Sequence, residues 1–276
     1  MKKVSVIITT YKKPNYLRQA IESVLKQTFK DFEIIIVNDD PESQGLEKII
    51  LSYRDPRIIY IKNEENLGGA KSLNIGLKAS SGDYIAILDD DDVWLSDDKL
   101  EKQVKFLDEN PDYIVVGTSS IEVDKESEKE IWRYTGEFGT ENVEKFLLLK
   151  VPFAHSSVLY RKNTILKVGG YSEDLPWAKD IDLYLKIAKL GKFGFLADCF
   201  IKHREIFWNE SNAEEFIKKR LRGLLFHKKV IWRHRKEFPH FWSSYLDVSF
   251  RYFAFKVFSF FPLLYKGYKL LSNFRG

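Results

Sequence analysis

IAILDDDDVW, residues 85–94, sets an apolar run directly before four consecutive carboxylates. Residues 84–88 have the character of a strand buried in a sheet, and Asp89, Asp90, Asp91 and Asp92 stand where that strand would emerge. Four like charges in four residues raise one another's pKa. Such a cluster is favourable when it is solvated, or when a hard divalent cation with oxygen ligands neutralises part of it. Strand residues alternate in direction, so Asp89 and Asp91 can share one side and reach a single metal as a D-x-D pair. The same stretch also reads as a solvated turn before the next helix, with Asp97 and Asp98 as first-turn acids.

The chain has 276 residues and a net charge of +4, long enough for one large or two modest domains. The charge is unevenly spread. From Phe216 onward there are 14 Lys plus Arg against two acids, Glu237 and Asp247, a local excess of +12 that leaves −8 for the rest. The acidic and basic parts should therefore meet different partners. The single cysteine, Cys199, excludes an internal disulfide and a multi-cysteine zinc site. It reads as a core residue in a protein of the reducing cytoplasm. MKKVSVIITT alternates like a strand and lacks a small-residue cleavage site, so it is expected to be structure and not a signal peptide. No uncharged run approaches the ~18 residues of a spanning helix. The chain is expected to lie on a membrane at most.

Residues 3–9 (KVSVIIT) are a β-branched run that ends in the loop Thr10-Tyr11-Lys12-Lys13-Pro14. Residues 16–27 place Leu17, Ala20, Ile21, Val24 and Leu25 on one helical face, and residues 32–37 (FEIIIV) form a second buried strand before Asn38-Asp39-Asp40-Pro41. Helix 45–53, strand 57–61, helix 69–79 and strand 83–88 complete four strand–helix alternations. That pattern implies right-handed crossovers and a mainly parallel, Rossmann-like α/β sheet flanked by helices. Ligands of such sheets sit beyond the carboxyl ends of the strands. Residues 9–11, 38–40 and 89–92 should thus be neighbours, offering an aromatic ring, an acceptor for a base N–H and a cation site for phosphates. Together these describe a nucleotide pocket. No G-x-G-x-x-G follows the first strand and no G-K-[ST] is present, so metal and not a glycine-rich loop would hold the phosphates.

Further along, residues 99–107 read as a helix, 113–123 as a strand, 122–130 as a charged exposed connection and 156–160 as another strand. Gly169-Gly170-Tyr171 is a turn. Residues 178–190 (AKDIDLYLKIAKL) form a helix whose first turn carries Asp180 and Asp182, where the dipole favours anions.

These pieces resemble the family 2 glycosyltransferases of the GT-A fold. The resemblance spans residues 4–204 and rests on VSVIITTYKKPNYLRQAIESVLKQTFKDFEIIIVNDD, NLGGAKSLNIGLKASSGDYIAILDDDD, HSSVLYRK followed by VGGYSEDL, and AKDIDLYLKIAKLG. It implies that Thr9 and Tyr11 hold the nucleotide together with Asp90, Tyr11 flanking the base, and that Asp39 accepts from a uracil N–H. Asp89 and Asp91 match the metal-binding pair, Asp91 ahead of Asp89 as the direct ligand of Mn²⁺ or Mg²⁺. Asp180 matches the catalytic base. Lys71, Asn74, His155, Arg161, His203 and Arg204 are second-tier candidates for diphosphate or acceptor contacts. Three positions depart from the family pattern: Asn38 for an acid, Pro41 for a glycine, and Lys179 for a glutamate. Lys179 makes the field around Asp180 less negative, which weakens a base.

The implied reaction is metal-dependent, inverting transfer of a sugar from a nucleotide diphosphate sugar, UDP-linked, to a hydroxyl acceptor in surface polysaccharide or glycolipid assembly. Two rivals follow from the residues. Asp89-x-Asp91-x-Val93 after an apolar strand also fits a haloacid dehalogenase-type phosphatase, although that superfamily carries the motif on its first strand. A non-catalytic nucleotide-binding module at a membrane surface is the other.

The chain divides into residues 1–212, the GT-A domain, and residues 213–276, a basic, aromatic helical extension. In it Ile217, Leu221, Leu224, Leu225, Ile231 and Trp232 share a helical side. Aromatics surround residues 250–261, a surface that must be covered, and Pro262 ends the helix. After it Leu263, Leu264, Leu270 and Leu271 oppose Lys266 and Lys269 in an interfacial pattern. The extension is expected to meet an anionic membrane on its cytoplasmic face, or else to pack on the catalytic domain as a helical subdomain or on a second copy of the chain. No nucleic-acid motif is present.

Overall fold

The computed structural model describes residues 3–136, 147–148, 151–207 and 212–260. Strands β1 (Val4–Thr10), β2 (Phe32–Asn38), β3 (Ile58–Lys62) and β4 (Tyr84–Asp89) pair in parallel in the order β3-β2-β1-β4. Helices α1 (Pro14–Leu25), α2 (Gln44–Ser52) and α3 (Gly69–Ala79) are the crossovers. Pro14 stands in the first turn of α1, where the missing N–H breaks no helical bond.

Alternation along the strands divides the core into two layers. Val4, Val6 and Ile8 pack with Leu17, Ile21 and Val24 of α1 and Leu46 and Ile50 of α2, whereas Ile7, Ile85 and Ile87 pack with Leu73 and Leu77 of α3. Gly76 allows α3 to approach, because a Cβ there would stand 2.5 Å from Ile7 Cγ2.

Beyond β4 the strand directions mix. β6 (Tyr113–Asp124), β8 (Leu159–Arg161) and β9 (Lys192–Glu205) extend the sheet, with β8 antiparallel to both β4 and β6, and β6 parallel to β9. The two-residue β5 (Val93–Trp94) closes the far edge on β9, and β7 (Glu130–Tyr134) returns antiparallel to β6. Helices α4 (Lys99–Glu109), α5 (Lys162–Lys167) and α6 (Lys179–Ile187) complete the covering.

Several local expectations shift. The strand expected over 156–160 begins as a 3-10 turn, His155–Ser157. The connection at 122–130 is not simply exposed: Glu122 is buried, and the β6–β7 hairpin folds back on itself. β9 escapes periodicity because its residues alternate poorly and its pairing with β6 shifts register at Thr118/Ser119. Cys199 lies in the core, where burial pushes its thiol up to about 11.

Helices α7 (Ala213–Arg233) and α8 (Phe241–Phe260) pack on the second layer, and Val230, Ile231 and Val248 belong to the same core cluster as α3 and α6. Ile217 and Ile231 are buried as expected, but Leu225 and Trp232 are exposed. Pro262 and residues 263–271 lie outside the described residues.

Asp182 ties α6 to α7. Fully buried, it accepts from Ser172 Oγ at 2.6 Å and Arg233 Nη1 at 3.1 Å, lies 3.1 Å from His234 Nε2, and has Lys186 Nζ at 3.3 Å. Burial alone would raise its pKa, but bonds to His234 and Ser172 and the charges of Lys186 and Arg233 hold it well below the usual carboxylate range. Asp182→Ala should cost about 3 kcal/mol or more in chemical denaturation, as for breaking a buried pair. A carboxylate with depressed folded pKa stabilises above its unfolded value, about 3.9, and loses that contribution as pH falls. The stability gap between wild type and variant should therefore close below about pH 4.

Candidate active site

The parallel register brings the strand ends together: Thr9 stands between Val37 and Asp89, and Thr10 beside Asn38. These ends floor a cleft of about 1090 Å³. Thr9, Tyr11 and Asp39 line it on the β1–β2 side, Asp89, Asp90 and Asp91 at the floor, and Trp132, Trp177 and Asp180 on the β7–α6 side.

The turn after β4, closed by Asp92 N donating to Asp89 O at 3.0 Å, gives the four carboxylates two different tasks. Asp90 is turned inward and accepts from Thr10 Oγ1 at 2.9 Å, Tyr11 N at 3.2 Å and Lys13 Nζ at 2.9 Å, fixing the loop that carries Tyr11. Asp92, also buried, accepts from Ser156 Oγ at 2.5 Å and Arg204 N at 2.9 Å, joining β4 to the 3-10 turn and β9. Burial raises the pKa of both, that of Asp92 to about 7. Asp89 and Asp91 differ. Burial would raise them too, but His155, Lys179 and Lys13 hold Asp89 below its usual range, and Lys13 and Lys125 do the same for Asp91. Lys13 Nζ lies 2.9 Å and Lys125 Nζ 2.7 Å from Asp91 Oδ2.

Asp39 is buried and already committed. Oδ1 accepts from Asn63 Nδ2 at 2.7 Å and Leu67 N at 2.8 Å, and Oδ2 accepts from Gly68 N at 2.9 Å, where the backbone turns at φ +84° into α3. A carboxylate offers about four acceptor positions, so one remains, on Oδ2. Tyr11 is 41% exposed, its ring open to the cleft with Lys12 Nζ 4.9 Å from the centroid.

Asp180 is half-buried in the first turn of α6, and among the described residues its carboxylate has no hydrogen-bond or ion-pair partner. Lys179 directs its ammonium to the start of α3, where a Cβ on Gly69 would lie 3.7 Å away, and its charge is felt by Asp89. The charge of Lys179 thus acts on the floor of the cleft.

The second-tier residues separate. His203 lines the cleft, Nδ1 2.6 Å from Glu122 Oε2. Burial opposes its charge, but Asp92, Glu122 and Glu205 more than offset this and raise its pKa to about 10. His155 also lines it, bonded through Nε2 to Tyr171 Oη at 2.9 Å. Arg204 is spent on the frame, donating to Glu128, Gln19 and the Asp91 carbonyl. Asn74 staples the Tyr171 turn, Arg161 binds the carbonyls of Tyr113 and Leu107, and Lys71 is exposed and outside the cleft lining.

The sequence reading missed Lys13 and Lys125. Lys13 follows the first strand, where the carboxyl-end rule could have found it. Lys125 depends on the hairpin register, for which no sequence signal exists.

Among the described residues no group of three or more His, Cys, Asp or Glu is arranged to hold a metal. The donor set nevertheless suits a hard divalent cation: carboxylates at Asp89 and Asp91 share the floor, and two ammoniums already stand on Asp91 in the place of a cation.

The model for glycosyl transferase family 2 matches residues 5–169. An uncharacterized glycosyltransferase of Methanocaldococcus jannaschii is 34% identical over 255 residues, covering 88% of this chain and 84% of the relative. The amylovoran biosynthesis glycosyltransferase AmsE of Erwinia amylovora is 32% identical over 191 residues, 68% of this chain and 70% of that one. Among solved structures, S. aureus TarS 1-349 in complex with UDP-GlcNAc superposes with a TM-score of 0.66 at 20% identity, covering 92% of this chain and 73% of that one. The mannosyltransferase PcManGT of Pyrobaculum calidifontis, in complex with GDP-Man and Mn2+, gives 0.64 at 17% identity, covering 90% and 68%.

The charge on His203 can be read by NMR. Its ring should keep both protons at about pH 8, where an unperturbed imidazole of pKa ≈ 6.5 is neutral, and the titration midpoint should fall in Glu122→Gln. The stability it adds is complete below about 6.5 and fades as pH rises through about 10.

Proposed function

Since the chain belongs to glycosyl transferase family 2 and is a glycosyltransferase of the GT-A fold, we propose that it moves a sugar from a UDP-linked donor to a hydroxyl acceptor with inversion. The observation that carries this reading is one cleft lined by a carboxylate, Asp180, that has no hydrogen-bond or ion-pair partner among the described residues, by the paired acids Asp89 and Asp91, and by Asp39 and Tyr11. The uracil ring would rest on Tyr11 and give its N–H to the open position on Asp39 Oδ2. The phosphates would then lie over the floor, within reach of Lys13, Lys125 and Lys179.

Asp180 would take the acceptor proton as the oxygen attacks the anomeric carbon from the face opposite the diphosphate. A carboxylate is far too weak a base to deprotonate a free alcohol beforehand, so transfer of the proton accompanies attack. Asp91, with Asp89, would hold Mn²⁺ or Mg²⁺, which when bound acts as a Lewis acid on the charge of the departing diphosphate. Lys13 and Lys125, displaced from Asp91, would turn to the phosphate oxygens. The likeness to AmsE, a glycosyltransferase of amylovoran biosynthesis, supports an acceptor in glycan assembly, for which we propose surface polysaccharide or glycolipid, made in the cytoplasm or on the inner face of the membrane. The phosphatase alternative is set aside: its motif would stand on the fourth strand, inside a sheet of another family.

Asp180→Asn should abolish transfer while isothermal titration with UDP gives an unchanged affinity; wild-type turnover in this variant would assign the base to another residue. Tyr11→Ala should weaken UDP by about 1–2 kcal/mol through loss of the stacking face. Asp91→Asn, or excess chelator on the wild type, should remove most donor turnover while the thermal midpoint stays within a few degrees. Full activity in chelator would leave the metal without a role.

A further inference from the structure

Five large apolar side chains of α8 stand in water. Trp242, Leu246, Phe250, Phe253 and Phe260 are 67%, 62%, 68%, 67% and 70% exposed. At 3.6 residues per turn they fall within one quarter of the helix circumference, along a stripe about 27 Å long. The opposite side, with Ser244, Val248 and Phe258, is buried. A continuous exposed patch of this kind marks an interaction surface.

The surroundings of the stripe indicate what covers it. Lys256, exposed, borders one edge, and Lys228 of α7 reaches the same edge, its ammonium 4.9 Å from the Tyr245 ring and 5.9 Å from that of Tyr252. The one carboxylate of α8, Asp247, is on the other edge and is paired with Arg251 at 2.9 Å. Two copies joined through this face would bring together two segments that each carry an excess of +12. An anionic surface instead neutralises them. Trp and Phe belong at the boundary of headgroups and acyl chains, with lysines extending to the headgroups. No helix of the described residues is long and apolar enough to cross a membrane.

We propose that this face of α8 docks on an anionic lipid bilayer, the helix lying along the surface with its aromatic stripe in the interface. The proposal goes beyond the chemistry of the cleft and stands without it. Docking through α8 would also bring α7, which contributes Lys219 and Arg220 to the cleft, close to the lipid surface.

The test uses the full chain and vesicles of phosphatidylcholine with or without phosphatidylglycerol. Wild type should sediment with the anionic vesicles at low salt, less at high salt, and little with phosphatidylcholine alone. Phe250→Ser/Phe253→Ser should weaken sedimentation at least about tenfold with UDP affinity unchanged, and Lys256→Glu should weaken it on anionic vesicles. Failure of wild type to sediment would overturn the proposal, as would equal binding to neutral vesicles. A lipid-free dimer that the double substitution converts to monomer would assign the face to a second copy. A large fall in thermal midpoint of the double variant would assign it to the chain's own packing.

Discussion

The molecule depends on one constraint: four adjacent carboxylates must be carried at the end of a strand that is buried on both faces. The turn that follows β4 resolves it by burying Asp90 and Asp92 against donors of the frame and leaving Asp89 and Asp91 as the more open pair. The inward pair must then be satisfied, since a buried carboxylate without partners is costly. Thr10 and the Tyr11 amide serve Asp90, and Ser156 and the Arg204 amide serve Asp92. Those donors come from β1, the turn before β8 and β9, so the acids also lock the relative positions of the strands that build the cleft.

A similar division of two nearby acids joins α6 to α7. Asp180 and Asp182 are two residues apart in the first turn of one helix, yet the first lines the cleft with no partner among the described residues and the second is enclosed by Ser172, Arg233 and His234. Asp182 sets the direction in which α6 presents Asp180, and α7 with its C-cap supplies two of its partners, Arg233 and His234. The C-terminal helices are therefore coupled to the cleft although their composition suggests a separate unit.

Legibility in the sequence followed the range of the interactions involved. β1, β2 and β4 were readable because each is a short apolar run, and α3 because its period and bounds are regular. The carboxyl-end rule then placed Thr9, Tyr11, Asp39 and Asp89 in one cleft without any long-range information. Asp90 was assigned to a nucleotide because its inward turn toward Thr10 depends on the neighbouring strand. Arg204 and Asn74 carry charge and polarity that suggest ligands, but their bonds go to the frame, which only the packing of distant segments could show. β9 and the position of Lys125 depend on the register of β6, and register leaves little trace in composition.

The commitment of Asp39 has a consequence for which nucleobase can enter. Three of its acceptor positions hold Asn63, Leu67 and Gly68, and the one left can only receive a proton. A pyrimidine with a ring N–H, such as uracil or thymine, or guanine through N1–H, meets that demand. Cytosine and adenine can meet it only through an exocyclic amine, since their ring N3 and N1 carry lone pairs that repel the carboxylate. On the proposed reading the pocket sorts bases by where their donor hydrogen stands. The sorting acid cannot be exchanged without also loosening the turn into α3, so the choice of base and the seating of that helix are held by the same side chain.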